Sequence, residues 1–362
     1  MTNRPIYIVG VRGMPNRYGG FERLVEVLAP HLARSGRRVT VFCEGDETTP
    51  DRDWWNGVER RYIKRRHAGV AGTIRYDLQA FRLVPRSAIV LIFGYGTALF
   101  QAILRARNIP HCVNMDGIEW QRDKWGSAAK AWLRLNERLA TQMSDLLIAD
   151  HPEIERDLHD RFGVSAAMIA YGVEAHPPMA ERSTSHFSSG RRYFLVIARP
   201  EPENQIHVIL AAYRYAQTDA AMIVVGDFDA NPYGKALMVD YPEVNFIGPL
   251  YDGPTLNKLR RDADLYIHGH RVGGTNPSLI EAMAAQAIIV AHGNVFNRWV
   301  LGEGGQYFSD ERDLAEKFRR PPSMAARAAY RTHCRLRCAD DFLWSHILSS
   351  YDVIVTALDA KP

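Results

Sequence analysis

Cysteine is scarce in this chain. Four occur among 362 residues, at Cys43, Cys112, Cys334 and Cys338, and only the last two are close, at helical i, i+4 spacing. With no second pair to complete a ligand set, the pattern argues against a zinc site or a disulfide framework and predicts free thiols in a cytosolic setting. Long apolar runs are missing too. None approaches the ~20 residues needed to span a bilayer, and the opening Met-Thr-Asn-Arg-Pro enters an apolar strand without the hydrophobic region of a signal peptide. A cytoplasmic protein is expected. Neither sign of charge dominates: a net charge of +4 is too small to imply nucleic acid. Repeats and low-complexity blocks are absent, and 46% hydrophobic with 24% charged residues excludes disorder. Finally, Gly10 and Gly13 do not complete a G-x-G-x-x-G, which speaks against an NAD enzyme.

What the chain does contain is a long alternation of strands and helices. Its length suggests two domains. Strands are predicted at 5–11, 39–43, 58–65, 88–93, 111–115, 145–149 and 166–170, with helices at 21–35, 74–84, 97–107 and 128–142 between them. Right-handed crossovers make a parallel sheet. Periodicity is lost from Glu174 to Gly190, where Pro177-Pro178 and a Ser/Thr-rich tract read as a linker. It resumes with strands at 192–198, 221–225, 244–247, 264–268 and 287–291 and helices at 204–216, 254–262 and 277–285. The expected fold is α/β, with two facing Rossmann-like domains, 1–180 and 187–340, and a cleft at the carboxyl ends of both sheets. A last helix, about 341–358, has a wide apolar face from Trp344 to Leu358 that needs a partner surface.

Charge is unevenly placed. Residues 1–180 hold 25 Lys/Arg against 20 Asp/Glu, whereas 181–362 hold 20 against 21. Much of the excess follows Trp54-Trp55, at Arg60, Arg61, Lys64, Arg65 and Arg66. Two readings stand side by side: a solvated edge strand protected against aggregation, or a patch resting on anionic lipid as a peripheral membrane contact.

The most informative stretch runs from His268 to Gln286. A short strand feeds a glycine loop, Asn276 is a plausible N-cap, and Pro277 stands at the first helical position. Free N–H groups and the positive dipole end make such a helix mouth an anion site. Glu281, one turn inside and on the same face, could accept ribose hydroxyls beside a phosphate. Gly19-Gly20, at the mouth of the first helix, permits close approach of a ligand or is simply a turn. In Asn114-Met115-Asp116-Gly117-Ile118-Glu119-Trp120-Gln121-Arg122, Asp116 is the better candidate for touching a reacting sugar, while Glu119 could equally pair with Arg122. Arg199, in Ala-Arg-Pro-Glu-Pro-Glu-Asn, suits bidentate anion recognition. His268 and His270, lacking a third ligand, read as hydrogen-bonding loop histidines, not metal ligands.

Taken together, these motifs resemble the retaining family 4 glycosyltransferases of the GT-B fold, and among them the bacterial rhamnosyltransferases of polysaccharide assembly. The resemblance rests on Arg-Tyr-Gly-Gly-Phe-Glu, Asp-Gly-Ile-Glu-Trp-Gln-Arg, Ala-Arg-Pro-Glu-Pro-Glu-Asn, His-Gly-His-Arg-Val-Gly-Gly-Thr-Asn-Pro-Ser-Leu-Ile-Glu-Ala-Met and Phe-Leu-Trp at 342–344. It implies a nucleotide-diphosphate sugar as donor, best guessed as dTDP-rhamnose, a saccharide acceptor that is lipid-linked, no metal and no other cofactor. It also implies that the final helix crosses back to the N-terminal domain. Asp116, Arg199 and Glu281 would be the catalytic set. Gly19, Gly20, Glu119, Asn204, His270, Gly274, Thr275, Asn276, Pro277 and Ser278 would line the substrates, with the N–H groups at 276–279 on the diphosphate. Three departures stand out: Gly273 replaces the first acid of the Glu-x7-Glu pair, Asn204 and Gln205 stand where a basic residue is usual, and Asp116 replaces a cleft histidine. A sugar-nucleotide epimerase of the same fold and a non-catalytic nucleotide-sugar binding protein remain as alternatives.

Overall fold

The computed structural model describes residues 3–16, 19–64, 69–122, 124–181, 187 and 190–361. The chain divides into two units. One comprises Met1–Trp120, Trp125–Ala170 and Trp344–Pro362, the other Gln121–Lys124 and Tyr171–Leu343. Arg17 and Tyr18 of the first motif, Arg65 and Arg66 of the basic patch, and much of the linker tract lie outside the described residues.

The first unit is built on eight strands: β1 (Ile6–Val9), β2 (Val39–Gly45), β3 (Arg52–Trp55), β4 (Val58–Lys64), β5 (Ile89–Phe93), β6 (His111–Asn114), β7 (Leu146–Ala149) and β8 (Ala167–Met168). They lie in the order β3-β4-β2-β1-β5-β6-β7-β8. All neighbours are parallel except β3 and β4. The continuous apolar run Ile-Val-Leu-Ile-Phe of β5 is buried throughout, as expected of a central strand covered on both faces.

β3 is absent from the sequence reading. Its hairpin turn is Asn56-Gly57, with both residues at positive φ, 48° and 80°, the pairing that a tight two-residue turn favours. Asp53 and Arg60 face each other across the hairpin and pair at 2.7 and 2.6 Å, and Arg60 also donates to the Met14 carbonyl at 2.9 Å. Arg60 is therefore used within the fold, while Trp54 stands 69% exposed. A helix at Pro152–Phe162 also escaped the sequence reading, despite Pro at its first turn and Gly163 in the left-handed region at its end.

The last helix, Trp344–Asp359, packs on this first unit. Its buried Tyr351 lies beside Phe93, with ring centroids 6.3 Å apart. Its polar edge is tied by His31 to Asp352 at 2.8 Å and by Arg37 to Asp359 at 2.6 Å. The partner surface that its apolar face requires is thus helix Gly20–Arg34 together with β5 and β6.

The second unit has six parallel strands: β9 (Tyr193–Ile197), β10 (Ala221–Val225), β11 (Asn245–Phe246), β12 (Leu265–His268), β13 (Ile289–His292) and β14 (Gly305–Phe308). Their order is β11-β10-β9-β12-β13-β14. Counted within the unit this is 3-2-1-4-5-6, the Rossmann order. Phe194 of β9 stacks on Phe318 of helix Glu311–Arg319 at 4.6 Å, at the centre of an apolar cluster that extends to Leu210, Ile267 and Val290. No helix among the described residues is long and apolar enough to cross a membrane.

Candidate functional site

In the second unit the strand order reverses between β9 and β12, which lie side by side. Open parallel sheets bind ligands outside the carboxyl ends of the strands at such a point. The loops that leave there are 198–205 and 269–276, and their backbones meet. The Arg271 N–H donates to the Glu203 carbonyl at 3.0 Å, and a Cβ at Gly269 would lie 2.3 Å from the Asn204 carbonyl oxygen. Only glycine allows that approach.

Arg199 projects from the first loop with its side chain 57% exposed, 3.9 Å from Glu201. Glu201 is mostly buried and gathers two further cations, Lys124 at 3.2 Å and Arg122 at 3.7 Å. Burial works against the Glu201 charge, yet Arg199, Lys124 and Arg122 together hold its carboxyl below the usual range. Arg199, Lys124 and Arg122 thus converge on one carboxylate. The Asn204 side chain, predicted to face substrate, instead donates to the Arg199 carbonyl at 2.9 Å and shapes its own loop.

Helix Pro277–Ala284 starts where the sequence places it, with Asn276 as N-cap. Its cap consumes most of the donors expected to face a phosphate. The Asn276 side chain accepts from the Ser278 N–H at 3.1 Å, and the Asn276 carbonyl accepts from Leu279 and Ile280. Proline has no N–H to give. The expected use of the N–H groups at 276–279 therefore fails at three of the four positions, and an anion here has to be met by the preceding loop and by side chains. Gly274 is half-buried and Thr275 is 3% exposed in that loop. Gly273 has open space around it but φ of +147°, a backbone state that resists an acidic side chain. Ser278 uses its hydroxyl on Tyr266, at 2.5 Å.

Glu281 has a partner that no motif indicated. Arg260, in the last turn of helix Gly253–Asp262, places Nη2 2.5 Å from Glu281 Oε2. Its Nη1 donates to Asn257 Oδ1 at 3.1 Å. From sequence, a basic residue in a last turn reads as a dipole partner at the surface, but Arg260 is 3% exposed.

His270 lies flat on His268, with centroids 4.3 Å apart and planes 7° apart. Neither is protonated near neutrality. Burial, with Arg199 and Arg122 adding to it, pushes His270 down to about 3, and burial with neighbouring His270 and His292 takes His268 well below its ordinary value. In the unfolded chain both take up protons below about pH 6.5. The unfolded state then binds more protons than the folded one, so stability is lost as pH falls from about 6.5 towards 3. The expected loss is up to about 1.4 kcal/mol per pH unit for each such histidine. Urea unfolding at pH 7 and pH 5 checks this: a His268→Phe/His270→Phe variant should show a shallower dependence than the parent.

In the first unit Gly19 caps helix Gly20–Arg34 without a side-chain bond. The buried Glu22 accepts from the Arg12 N–H at 3.1 Å, and its other carboxylate oxygen stands 3.3 Å from where a Gly19 Cβ would be. This helix mouth already holds a carboxylate, so its attraction for a phosphate is reduced. Asp116 sits at the end of β6 with φ of +56°. Its N–H donates to Asn114 Oδ1 at 3.1 Å, and the Glu119 N–H donates to the Tyr95 hydroxyl at 2.9 Å. The same loop is anchored by Trp120, whose indole N–H meets both oxygens of Glu137 at 3.2 Å. No group of three or more His, Cys, Asp or Glu among the described residues is arranged to hold a metal ion.

Residues 191–320 match the family described as glycosyl transferases group 1. The fold of the chain is GT-B. Residues 3–174 match a second family, described as a domain of unknown function, DUF1972. No curated protein sequence matches the chain. Among solved structures this GT-B protein is similar to a sucrose-phosphate synthase from Thermosynechococcus elongatus, with 19% identity, 99% of both chains covered and a TM-score of 0.80. It is also similar to an α,α-trehalose-phosphate synthase (UDP-forming) from Burkholderia xenovorans, in complex with glucose-6-phosphate. Identity there is 13%, over 98% of this chain and 100% of that one, with a TM-score of 0.75. A third is Anabaena Alr3699/HepE in complex with UDP-glucose, at 16% identity over 97% and 99% of the two chains and a TM-score of 0.75. Such low identities establish the fold of the GT-B protein. Its donor and acceptor have to be argued from its own residues.

Proposed function

We propose that this protein transfers a hexosyl group, with retention of configuration, from a nucleoside diphosphate sugar to a saccharide acceptor. The observation that carries the reading is the placement of Arg199, Arg122, Lys124 and Glu281 on loops and a helix at the strand-order reversal of a glycosyl transferases group 1 domain. Arg199, Arg122 and Lys124 bind the diphosphate and stabilise it as it leaves. Glu281 accepts hydrogen bonds from the pentose, and Asp116 meets hydroxyls of the sugar or acceptor. No side chain is assigned as a covalent nucleophile. Two donors merit comparison first: dTDP-rhamnose, to which the sequence resemblance points, and UDP-glucose, bound in the HepE structure.

A thermal-shift series with dTDP-rhamnose, UDP-sugars and GDP-sugars tests the reading. Stabilisation of about 2.7 kcal/mol is expected at a hundredfold excess over Kd. Incubation with the stabilising donor should release nucleoside diphosphate only when a saccharide acceptor is added. Stabilisation by none of these donors would sink the proposal. Isomerised donor formed without acceptor would replace it with an epimerase.

A further inference from the structure

We infer that Arg260 determines the nucleoside specificity of this site: it clamps Glu281 so that the carboxylate reads the two neighbouring hydroxyls of a ribose, selecting a ribonucleoside diphosphate sugar over its 2′-deoxy counterpart. This rests on the proposed role of Glu281 in donor binding.

The geometry is that of an oriented acceptor. Arg260 reaches Glu281 Oε2 at 2.5 Å with Nη2 while Nη1 holds Asn257 Oδ1 at 3.1 Å. Asn257 is itself fixed by donating Nδ2 to the Pro178 carbonyl at 2.9 Å. The guanidinium is therefore held at one corner, by a fixed amide, besides its contact with the carboxylate. The arginine side chain is 4% exposed, whereas that of Glu281 is 34% exposed. One oxygen of the carboxylate is thus gripped by a buried arginine while the glutamate side chain, one turn inside helix Pro277–Ala284, stays partly exposed. Left alone, a glutamate this exposed would sample several rotamers, and ordering it would subtract from ligand affinity. Arg260 does that ordering in advance.

An ionised carboxylate only accepts hydrogen bonds. With one acceptor position of Oε2 taken by Arg260, Oε1 and the remaining lone pair of Oε2 are left as two adjacent acceptors. A ribose offers two adjacent donors, its 2′- and 3′-hydroxyls. A 2′-deoxyribose presents a methylene in place of one, and the carboxylate loses water there without regaining a hydrogen bond. Because the group stays partly exposed, the penalty is expected at the low end for an unmet acceptor, about tenfold in affinity. This favours a ribonucleotide donor over a dTDP donor.

A plainer account is that Arg260–Glu281 only pins helix Gly253–Asp262 to helix Pro277–Ala284. That account predicts lower stability and an unchanged preference between nucleotides. Calorimetric titration of the full chain with UDP, 2′-deoxy-UDP, GDP and 2′-deoxy-GDP separates the two, using the parent, R260M, R260K, E281Q and R260M/E281Q. In the parent, the ribonucleotide of whichever base binds should be about tenfold tighter than its deoxy form. In R260M that ratio should fall towards one as the ribonucleotide weakens, with R260K intermediate. In the E281Q background, R260M should change nothing further. Equal binding of ribo and deoxy forms by the parent, or an R260M loss shared equally between them, overturns the inference and leaves the donor site standing. If R260M fails to fold, R260K carries the same comparison. A parent that binds no nucleotide at all overturns the donor-site reading, and this inference with it.

Discussion

An Arg199→Ala/Arg122→Ala double variant should retain about a thousandth or less of the parent kcat/KM, since removing a single preorganised group that meets developing charge already costs about 10²–10³. The magnitude follows from what else is available. The first turn of helix Pro277–Ala284 has spent its N–H groups on Asn276, and positions 204 and 205 carry no charge. In the proposed reaction, negative charge on a departing diphosphate then falls to Arg199, Arg122 and Lys124. Of these, Arg199 is best placed to move, being 57% exposed and only 3.9 Å from its carboxylate partner. Removing both arginines also takes two of the three cations from Glu201 and leaves it only Lys124, and a buried charge with less compensation destabilises the fold. A triple variant that adds Glu201→Gln separates the effects. It should recover melting temperature but not turnover. Steady-state kinetics and a melting curve on the same preparations suffice, and a double variant within tenfold of the parent would move the diphosphate elsewhere.

These cations show where sequence reasoning runs out. Arg199 and Glu281 could be named in advance because each sits at a fixed offset from a strand end or a helix start. Lys124 could not, and Arg122 is read from sequence only as a partner of Glu119, because the sequence attaches both to the loop after β6, whereas in the fold the segment Gln121–Lys124 belongs with the second unit. Arg260 was hidden for a related reason: its significance is a tertiary pairing with a residue 21 positions away, and nothing local marks it. Gly273, by contrast, is legible in hindsight. Its φ of +147° makes glycine the natural occupant, so the first acid of the family pair is missing where the backbone disfavours a side chain. Elements were lost by the same logic. Helix Met324–Asp341 buries Cys334 and Cys338, and the i, i+4 spacing weighed only as metal or disulfide chemistry is the inner stripe of that helix. Helix Glu311–Arg319 buries Leu314, Ala315 and Phe318 between charged neighbours, too thin a stripe to stand out from a polar loop. The strands, read from apolar runs, were found almost throughout, with β3 and β14 the exceptions.

The second large effect concerns Asn114, which is not part of any proposed substrate contact. Asn114→Ala is expected to lower kcat by about a hundredfold, as a displaced catalytic group does, and to leave nucleotide affinity unchanged. Asn114 is 2% exposed and bridges two elements. Its Oδ1 accepts from the Asp116 N–H at 3.1 Å, while its Nδ2 donates to the Tyr351 hydroxyl at 3.0 Å. Asp116 has φ of +56°, a left-handed state that costs a non-glycine residue about 1–2 kcal/mol, and the Asn114 bond is what offsets it. Without that bond, Asp116 relaxes and its carboxylate leaves the position that β6 gives it. The Tyr351 hydroxyl, buried in the last helix, also loses its amide donor, so stability should fall by about 1–3 kcal/mol. Tyr351→Phe distinguishes the two consequences. It removes the other end of the bridge and should destabilise by a similar amount, yet kcat should change little because Oδ1 still holds Asp116. The decisive comparison is a double-mutant cycle: if Asn114 acts through Asp116, adding Asn114→Ala to Asp116→Ala should slow turnover no further. Independent, multiplying losses would mean that Asn114 supports the site by another route and that the left-handed turn at Asp116 is incidental to catalysis.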